Sequence, residues 1–260
     1  MNGPSVNGTL AVLAMYPYPS LSAAWDRLYE AVSVEVPDAP TALRWDIDVH
    51  DTWLDPNLAI GMACGWPLVQ TLGDAVRVIG TFEYDASEPG SHLYRSVIIA
   101  REDVPLARLA DSHAAINSTD SLSGYVSLLS AFELDTAWAG EVTFTGAHTA
   151  SIEAVRSGAA DVAAIDGLTW AFHQRDAARA LRGLTVVGRG PAVPGLPIIV
   201  PATTSDEGVG AWRTGLTRAI ADPALSPHVR RLMIRRFVAL DNADYSTDLA
   251  ELRQRHLVHA

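Results

Sequence analysis

Val142-Thr143-Phe144-Thr145-Gly146-Ala147-His148-Thr149-Ala150-Ser151-Ile152-Glu153-Ala154-Val155-Arg156-Ser157-Gly158-Ala159-Ala160-Asp161-Val162-Ala163-Ala164-Ile165-Asp166 reads as strand, helix and strand in succession. Residues 142–145 form a short β run. Ile152 and Val155 stand three apart, the spacing that puts two side chains on one face of a helix. Gly158 follows where a helix closes through a left-handed residue. Residues 162–165 are apolar without a break, as in a buried strand. A further helix is predicted through Ala180.

Outward from this stretch the alternation continues. Residues 9–15 read as a buried strand ended by Pro17 and Pro19. Ser20 is placed to cap a helix carrying Leu21, Ala24, Trp25, Leu28 and Val32 on one face. Strands are predicted at 42–47, 58–63 and 76–82, the second ending at Cys64-Gly65-Trp66-Pro67. Residues 85–90 are a turn-rich break. Residues 94–100 are strongly β, and 114–116 form a short strand before a helix from about 122 to 133. A strand at 184–187 is followed by a Gly- and Pro-rich loop over 188–197, which leads into 198–200. From about 207 to 256 the chain reads mainly as helices, with Arg230, Arg231, Arg235 and Arg236 on one solvated or ion-paired helix face. This is an α/β pattern with mixed, mostly parallel sheets. Residues 94–100 and 198–200 read as two crossings around a middle block. The division predicted is a discontinuous lobe of 1–97 plus 196–260 and an inserted lobe of 98–195.

Composition limits the partners. The chain has 260 residues, enough for one large domain or two modest ones. Its net charge is −11, and all 19 basic residues are arginine. A chain so acidic offers no basic face for nucleic acid or an anionic membrane surface. If it binds an anion, local hydroxyls and backbone amides must overcome the long-range field. Cys64 is the single cysteine, so no intrachain disulfide or thiolate metal cluster is possible. No phosphate-binding P-loop or dinucleotide fingerprint occurs, and no cofactor is expected. Asp46, Asp48, His50 and Asp51 resemble a hard-metal cluster, but they lack the glycine and distal glutamate of a calcium loop, and no metal is expected. Met1 to Gly8 has no basic region, and the apolar run after it is too short for an export signal or a membrane span. As written, the sequence predicts a cytoplasmic protein, or a periplasmic one if a signal is missing from it.

In open α/β sheets ligands sit beyond the carboxyl ends of strands, at helix N-termini. That rule selects Tyr16, Tyr18, Gly65 and Trp66 in the first lobe. In the second it selects the segments 117–124 and 146–149, and Asp166. Ser121-Leu122-Ser123-Gly124 is the most informative of these. At a helix start it offers two hydroxyls and unpaired N–H groups aimed at one point, with the helix dipole behind them. Its structural alternative is a plain N-cap at Ser121. His148 can donate to an anionic oxygen, or can be a capping or partly buried histidine. Asp166 repels a bare oxyanion, so it implies a ligand with an amine or hydroxyl, or an N-cap. Tyr16 and Trp66 can wall a ligand and donate from O–H and N–H, or belong to the core. A Ser121/His148/Asp166 catalytic triad is disfavoured, because the G-x-S-x-G nucleophile elbow is missing.

These residues also carry a resemblance. Ser121-Leu122-Ser123-Gly124-Tyr125 resembles the Ser-Thr-Ser-Gly-Tyr turn of periplasmic phosphonate-binding proteins. Residues 145–151 resemble that family's Gly-Ser-His segment, residues 155–166 its V-x-x-G-x-A-D-V-A-A-x-D run, and Cys64-Gly65-Trp66-Pro67 its Gly-Tyr-x-Pro loop. The resemblance implies a type 2 periplasmic-binding-protein fold whose lobes close on a small oxyanion. It implies anion contacts from Ser121, the Leu122 amide, Ser123 and His148. Asp166 would meet the ligand's amino or other polar group, with Tyr16 and Trp66 approaching from the first lobe. Leu122 replaces the family's threonine, and with the acidic Asp166 this points to a ligand with a second polar group rather than plain phosphate. The implied partners are the small anion and an ABC permease, for a monomer or weak dimer that is not an enzyme. The alternative on the same fold is a cytoplasmic enzyme acting on a small carboxylate, similar to chorismate dehydratase.

Overall fold

The stretch 142–166 folds as its sequence reads. The computed structural model describes residues 8–101 and 105–256, so the reading of Met1 to Gly8 lies outside the described residues except at Gly8. The strands are β1 (Leu10–Val12), β2 (Leu58–Met62), β3 (Val76–Tyr84), β4 (Leu93–Ala100), β5 (Ala114–Ile116), β6 (Val142–Phe144), β7 (Val162–Ile165), β8 (Thr185–Pro194), β9 (Ile198–Pro201) and β10 (Ile234–Val238). The helices are α1 (Pro19–Val34), α2 (Gly65–Pro67), α3 (Ser127–Ala131), α4 (His148–Ser157), α5 (Gly167–Asp176), α6 (Asp206–Ala221), α7 (Ser226–Arg231), α8 (Asn242–Asp248) and α9 (Ala250–His256).

The chain divides into two compact units. One runs to Asp85 and resumes over Pro194–Thr247; the other holds Ala86–Val193 and takes the chain back from Asp248. Each unit has its own five-stranded sheet, in the order β1-β2-β9-β3-β10 for the first and β6-β5-β7-β4-β8 for the second. The strands at 94–100 and 198–200, read as crossings, are each wholly inside one sheet: β4 pairs with β7, and β9 with β2 and β3. The sheets are more mixed than the sequence pattern suggests. In the first, β1–β2 is parallel, whereas β2–β9, β9–β3 and β3–β10 are antiparallel. In the second, β5 is parallel to both β6 and β7, and β7 is antiparallel to β4.

The first unit is held by α1, which buries Leu21, Ala24, Trp25, Leu28, Tyr29 and Val32 on one face. Trp25 packs on Phe82 at 5.8 Å, and Tyr29 on Trp212 of α6 at 6.4 Å. Burying each such ring contributes about 1.5–3 kcal/mol or more. In the second unit apolar side chains cover both faces of the sheet. Ile98, Leu128, Trp138 and Val162 lie on one side, and Ile99, Ile152, Val155 and Trp170 on the other. Gly158 ends α4 at φ 84°, a left-handed conformation that glycine adopts without strain.

Four local expectations change. Ser20 is not the cap of α1: the helix starts at Pro19 after Tyr18, whose side chain makes no capping bond, because proline's fixed φ already suits the first helical position. Residues 42–47 form no strand. Arg44 N–H donates once to the Ala11 carbonyl (2.9 Å), and side-chain bonds from Arg44 to Asp46 and from Trp45 to Asp26 hold the segment instead. The predicted loop at 188–197 is largely strand β8, which is an edge strand and tolerates Pro191 and Pro194 for that reason. Arg235 and Arg236 lie not on a helix but on the edge strand β10, ion-paired to Asp85 and to buried Glu83. Charge on an edge strand hides its β character and blocks edge-to-edge pairing.

Candidate functional site

Because β5 is parallel to both its neighbours, the carboxyl ends of β6, β5 and β7 emerge at one edge of the second sheet. Each leads into a helical segment, so three helix N-termini meet there. After β5 come Asn117 and the 121–124 turn; after β6, Thr145 to His148; after β7, Asp166. The first two loops are joined by backbone bonds, Thr145 N–H to the Ile116 carbonyl (2.8 Å) and Gly146 N–H to the Asn117 carbonyl (3.1 Å). Thr145 Oγ1 also donates to the Ile116 carbonyl and bonds Ser151 Oγ at 2.7 Å.

The 121–124 turn is a helix start, as its sequence indicates. Ser121 is the N-cap, and its Oγ accepts from Gly124 N–H at 3.0 Å. The helix opens on a wide π turn at 122–126 before the α-helical turns of α3. Its first N–H groups have no partner within the helix, which leaves the Leu122 and Ser123 amides as donors. The Leu122 side chain is buried, so this residue offers its amide alone. Ser121 and Ser123 are each 6% exposed.

His148 is the first residue of α4 and half-buried, and its Nε2 lies 2.9 Å from Ser123 Oγ. Burial pushes its pKa below the usual histidine value, against the opposing pull of the Asp166 carboxylate and the Ala164 carbonyl. The ring is therefore mainly neutral at pH 7. Its Nδ1 is buried and has no carboxylate bonded to it. A serine–histidine pair thus exists, formed by Ser123 and not Ser121, but the carboxylate bond to Nδ1 that completes a nucleophilic triad does not. Asp166, 3% exposed, caps α5 by accepting from Thr169 N–H at 2.8 Å.

Of the seven residues nominated from the sequence, Ser121, Leu122, Ser123, His148 and Asp166 come together at this edge. Tyr16 and Trp66 belong to the first unit, in the loops that leave the parallel pair β1 and β2. Both are buried, and Tyr16 sets its ring edge-on to Tyr84 at 6.3 Å. Asn117 was not singled out in the sequence, although strand-end placement includes it. Its Nδ2 donates to Ser121 Oγ at 3.0 Å, and its Oδ1 occupies the space a β-carbon on Gly124 would need. That contact is why the fourth position of the turn is glycine.

Among the described residues no group of His, Cys, Asp and Glu is arranged to hold a metal ion. Asp46 is instead paired with Arg44, and Asp48 with His50. A cavity of about 340 Å³ elsewhere in the second unit sets Arg95, Arg189 and Arg255 beside Glu133, Asp248 and Glu251. Its charges cancel, so it offers an anion little. No helix among the described residues is long and apolar enough to cross a membrane.

Comparison with known proteins supplies the family. The chain is similar in fold to PhnD1 from Prochlorococcus marinus in complex with methylphosphonate, with a TM-score of 0.75 and 14% identity over 95% of this chain and 96% of that one. It is also similar to a binding-protein component of an ABC phosphonate transporter from Pseudomonas aeruginosa (TM-score 0.70, 18% identity, 97% and 86% covered). A third similar structure is the periplasmic aliphatic sulphonate-binding protein SsuA from Escherichia coli (0.62, 14%, 96% and 85%). At these identities the likeness establishes a shared two-sheet α/β fold. No curated protein sequence matches the chain. The family model described as "ABC transporter, phosphonate, periplasmic substrate-binding protein" matches residues 56–245. The chain therefore belongs to the phosphonate family of periplasmic substrate-binding proteins of ABC transporters, and it is a solute-binding protein rather than an enzyme.

Proposed function

We propose that the edge formed by β6, β5 and β7 seats a small phosphonate-like oxyanion. Ser121 and Ser123 donate from their hydroxyls, Leu122 and Ser123 from their amides, and His148 braces Ser123. Asp166 receives an amine or hydroxyl elsewhere on the ligand. The observation that carries this reading is the convergence of two buried serine hydroxyls and a half-buried histidine on helix starts, in a chain with no lysine. Donors held in place before binding lose little entropy on engaging the anion, and bonds to a charged acceptor are about twice as strong as neutral ones. For Tyr16 and Trp66 the support is the sequence resemblance alone. In this role the protein works as a monomer or weak dimer that hands its ligand to an ABC permease from the periplasmic side, the family's compartment.

Calorimetric titration with methylphosphonate, inorganic phosphate, an alkyl sulfonate and an aminoalkyl phosphonate tests the reading. Tight binding of a phosphonate is expected, with the amino-bearing one favoured through Asp166. Ser123→Ala combined with His148→Ala is expected to weaken it by roughly 100-fold or more. Undiminished binding by that double variant sinks the assignment.

A further inference from the structure

Ser121 Oγ accepts two hydrogen bonds and donates none among the described residues. Gly124 N–H supplies one and the Asn117 carboxamide the other, each at 3.0 Å. A serine hydroxyl has two lone pairs and one proton. With both lone pairs engaged, the proton is what remains. A freely rotating serine offers a partner either a donor or an acceptor, whereas this one offers a donor.

The orientation of the carboxamide decides the polarity of the hydroxyl. Asn117 Oδ1 is buried and accepts nothing. Turned over, the amide would instead accept the Ser121 proton and leave the hydroxyl with no donor to offer. Gly124 leaves room for the amide, since a β-carbon there would collide with Oδ1.

We infer that Asn117 is a positioning residue that fixes the hydroxyl of Ser121 as an obligate donor, so that the seat selects ligand oxygens bearing only lone pairs and rejects a hydroxyl in the same place. This rests on the anion-seat reading above. The composition makes such a device useful. With a net charge of −11 and no lysine, the chain cannot select an anion by field alone. A hydroxyl with a free choice of polarity would bind a neutral alcohol as readily as an ionised oxygen.

The test is Asn117→Asp, nearly the same shape with the polarity reversed: its carboxylate would take the Ser121 proton. By calorimetry with methylphosphonate, and with inorganic phosphate as second probe, the variant is expected to bind about 10- to 100-fold more weakly than wild type at about pH 7.5. As pH falls toward about 4, near the ordinary aspartate value of about 3.9, the substituted carboxyl is increasingly protonated and can again donate to Ser121 Oγ, so the wild-type-to-variant ratio should shrink. The neighbouring charged groups, His148, Asp120 and Asp166, and the probe are the same in both proteins, so the ratio isolates the change at residue 117. Asn117→Ala, which frees one lone pair, should lose affinity several-fold with no recovery in acid, and it carries the test if the aspartate variant does not fold. Equal affinities at pH 7.5, or a deficit in the aspartate variant that does not change with pH, overturn the inference while leaving the anion seat standing. A wild type that binds neither probe overturns both.

Discussion

In the second sheet three adjacent strands, β6, β5 and β7, run in one direction and deliver three loops to one edge; in the first sheet β1 and β2 do so alone. The loops differ as much as the strands. Those of the second sheet carry Ser121, Ser123, His148 and Asp166 on helix starts, the loops after β5 and β6 tied to each other by hydrogen bonds. Those of the first carry Tyr16 and Trp66, both buried, with Tyr16 edge-on to Tyr84. Parallel neighbours concentrate helix N-termini, and N-termini concentrate unpaired donors. The antiparallel strands of the first sheet alternate their ends, so they gather fewer such donors at one place. Anion recognition should accordingly be carried by the second unit, and affinity should respond far more to its polar groups than to the aromatics of the first.

The change that would break this comparison most severely is Gly124→Val. Its side chain would drive into the Asn117 carboxamide and open the turn, at an expected cost of about 2–3 kcal/mol in chemical denaturation together with loss of anion binding. A variant of wild-type stability would mean that the turn is not held as described. Next in size is the contrast in affinity itself. Ser123→Ala alone should cost about 1.5–3 kcal/mol of binding, whereas Tyr16→Phe should cost under about 1 kcal/mol. Equal losses in the two titrations would erase the distinction between the units.

The pH response sharpens the comparison further. His148 has a folded-state pKa below its ordinary value of about 6.5, so the unfolded chain takes up its proton first. Its contribution to stability is present above pH 6.5 and is lost as pH falls toward the folded-state value. Unfolding free energies measured between about pH 7.5 and 5 should therefore decline less steeply in His148→Gln than in wild type, and a saturating phosphonate should flatten the wild-type slope by favouring the charged ring. The smallest effect belongs to the rim of the first sheet. Arg235→Ala removes an exposed pair with Asp85 and should leave both stability and affinity close to wild type.

Much of this was legible in the sequence because it is local. The spacing of Ile152 and Val155, the glycine at 158 and the unbroken apolar run at 162–165 each fix backbone or burial within a few residues. Together they made the strand–helix–strand unit readable, and with it the strand ends where Ser121, His148 and Asp166 stand. The segments that were misread depend on distant partners. Residues 42–47 have strand-like composition, yet among the described hydrogen bonds their backbone meets β1 once. Arg235 and Arg236 look helical until Glu83 and Asp85, some 150 positions away, are placed beside them. Nor could periodicity tell which strands would be antiparallel, since a buried run is apolar in either direction.

At the site the division is the same. The sequence by itself pointed to hydroxyls and amides as the donors for an anion, because the chain is strongly acidic, and it marked the 121–124 turn as the expected place. Only the tertiary structure decided that His148 braces Ser123 rather than Ser121, that its Nδ1 has no bond to a carboxylate, and that Asn117 takes up the second lone pair of Ser121. Those choices turn on differences of an ångström or two between side chains brought together by sheet pairing, and one-dimensional spacing does not encode distances of that kind.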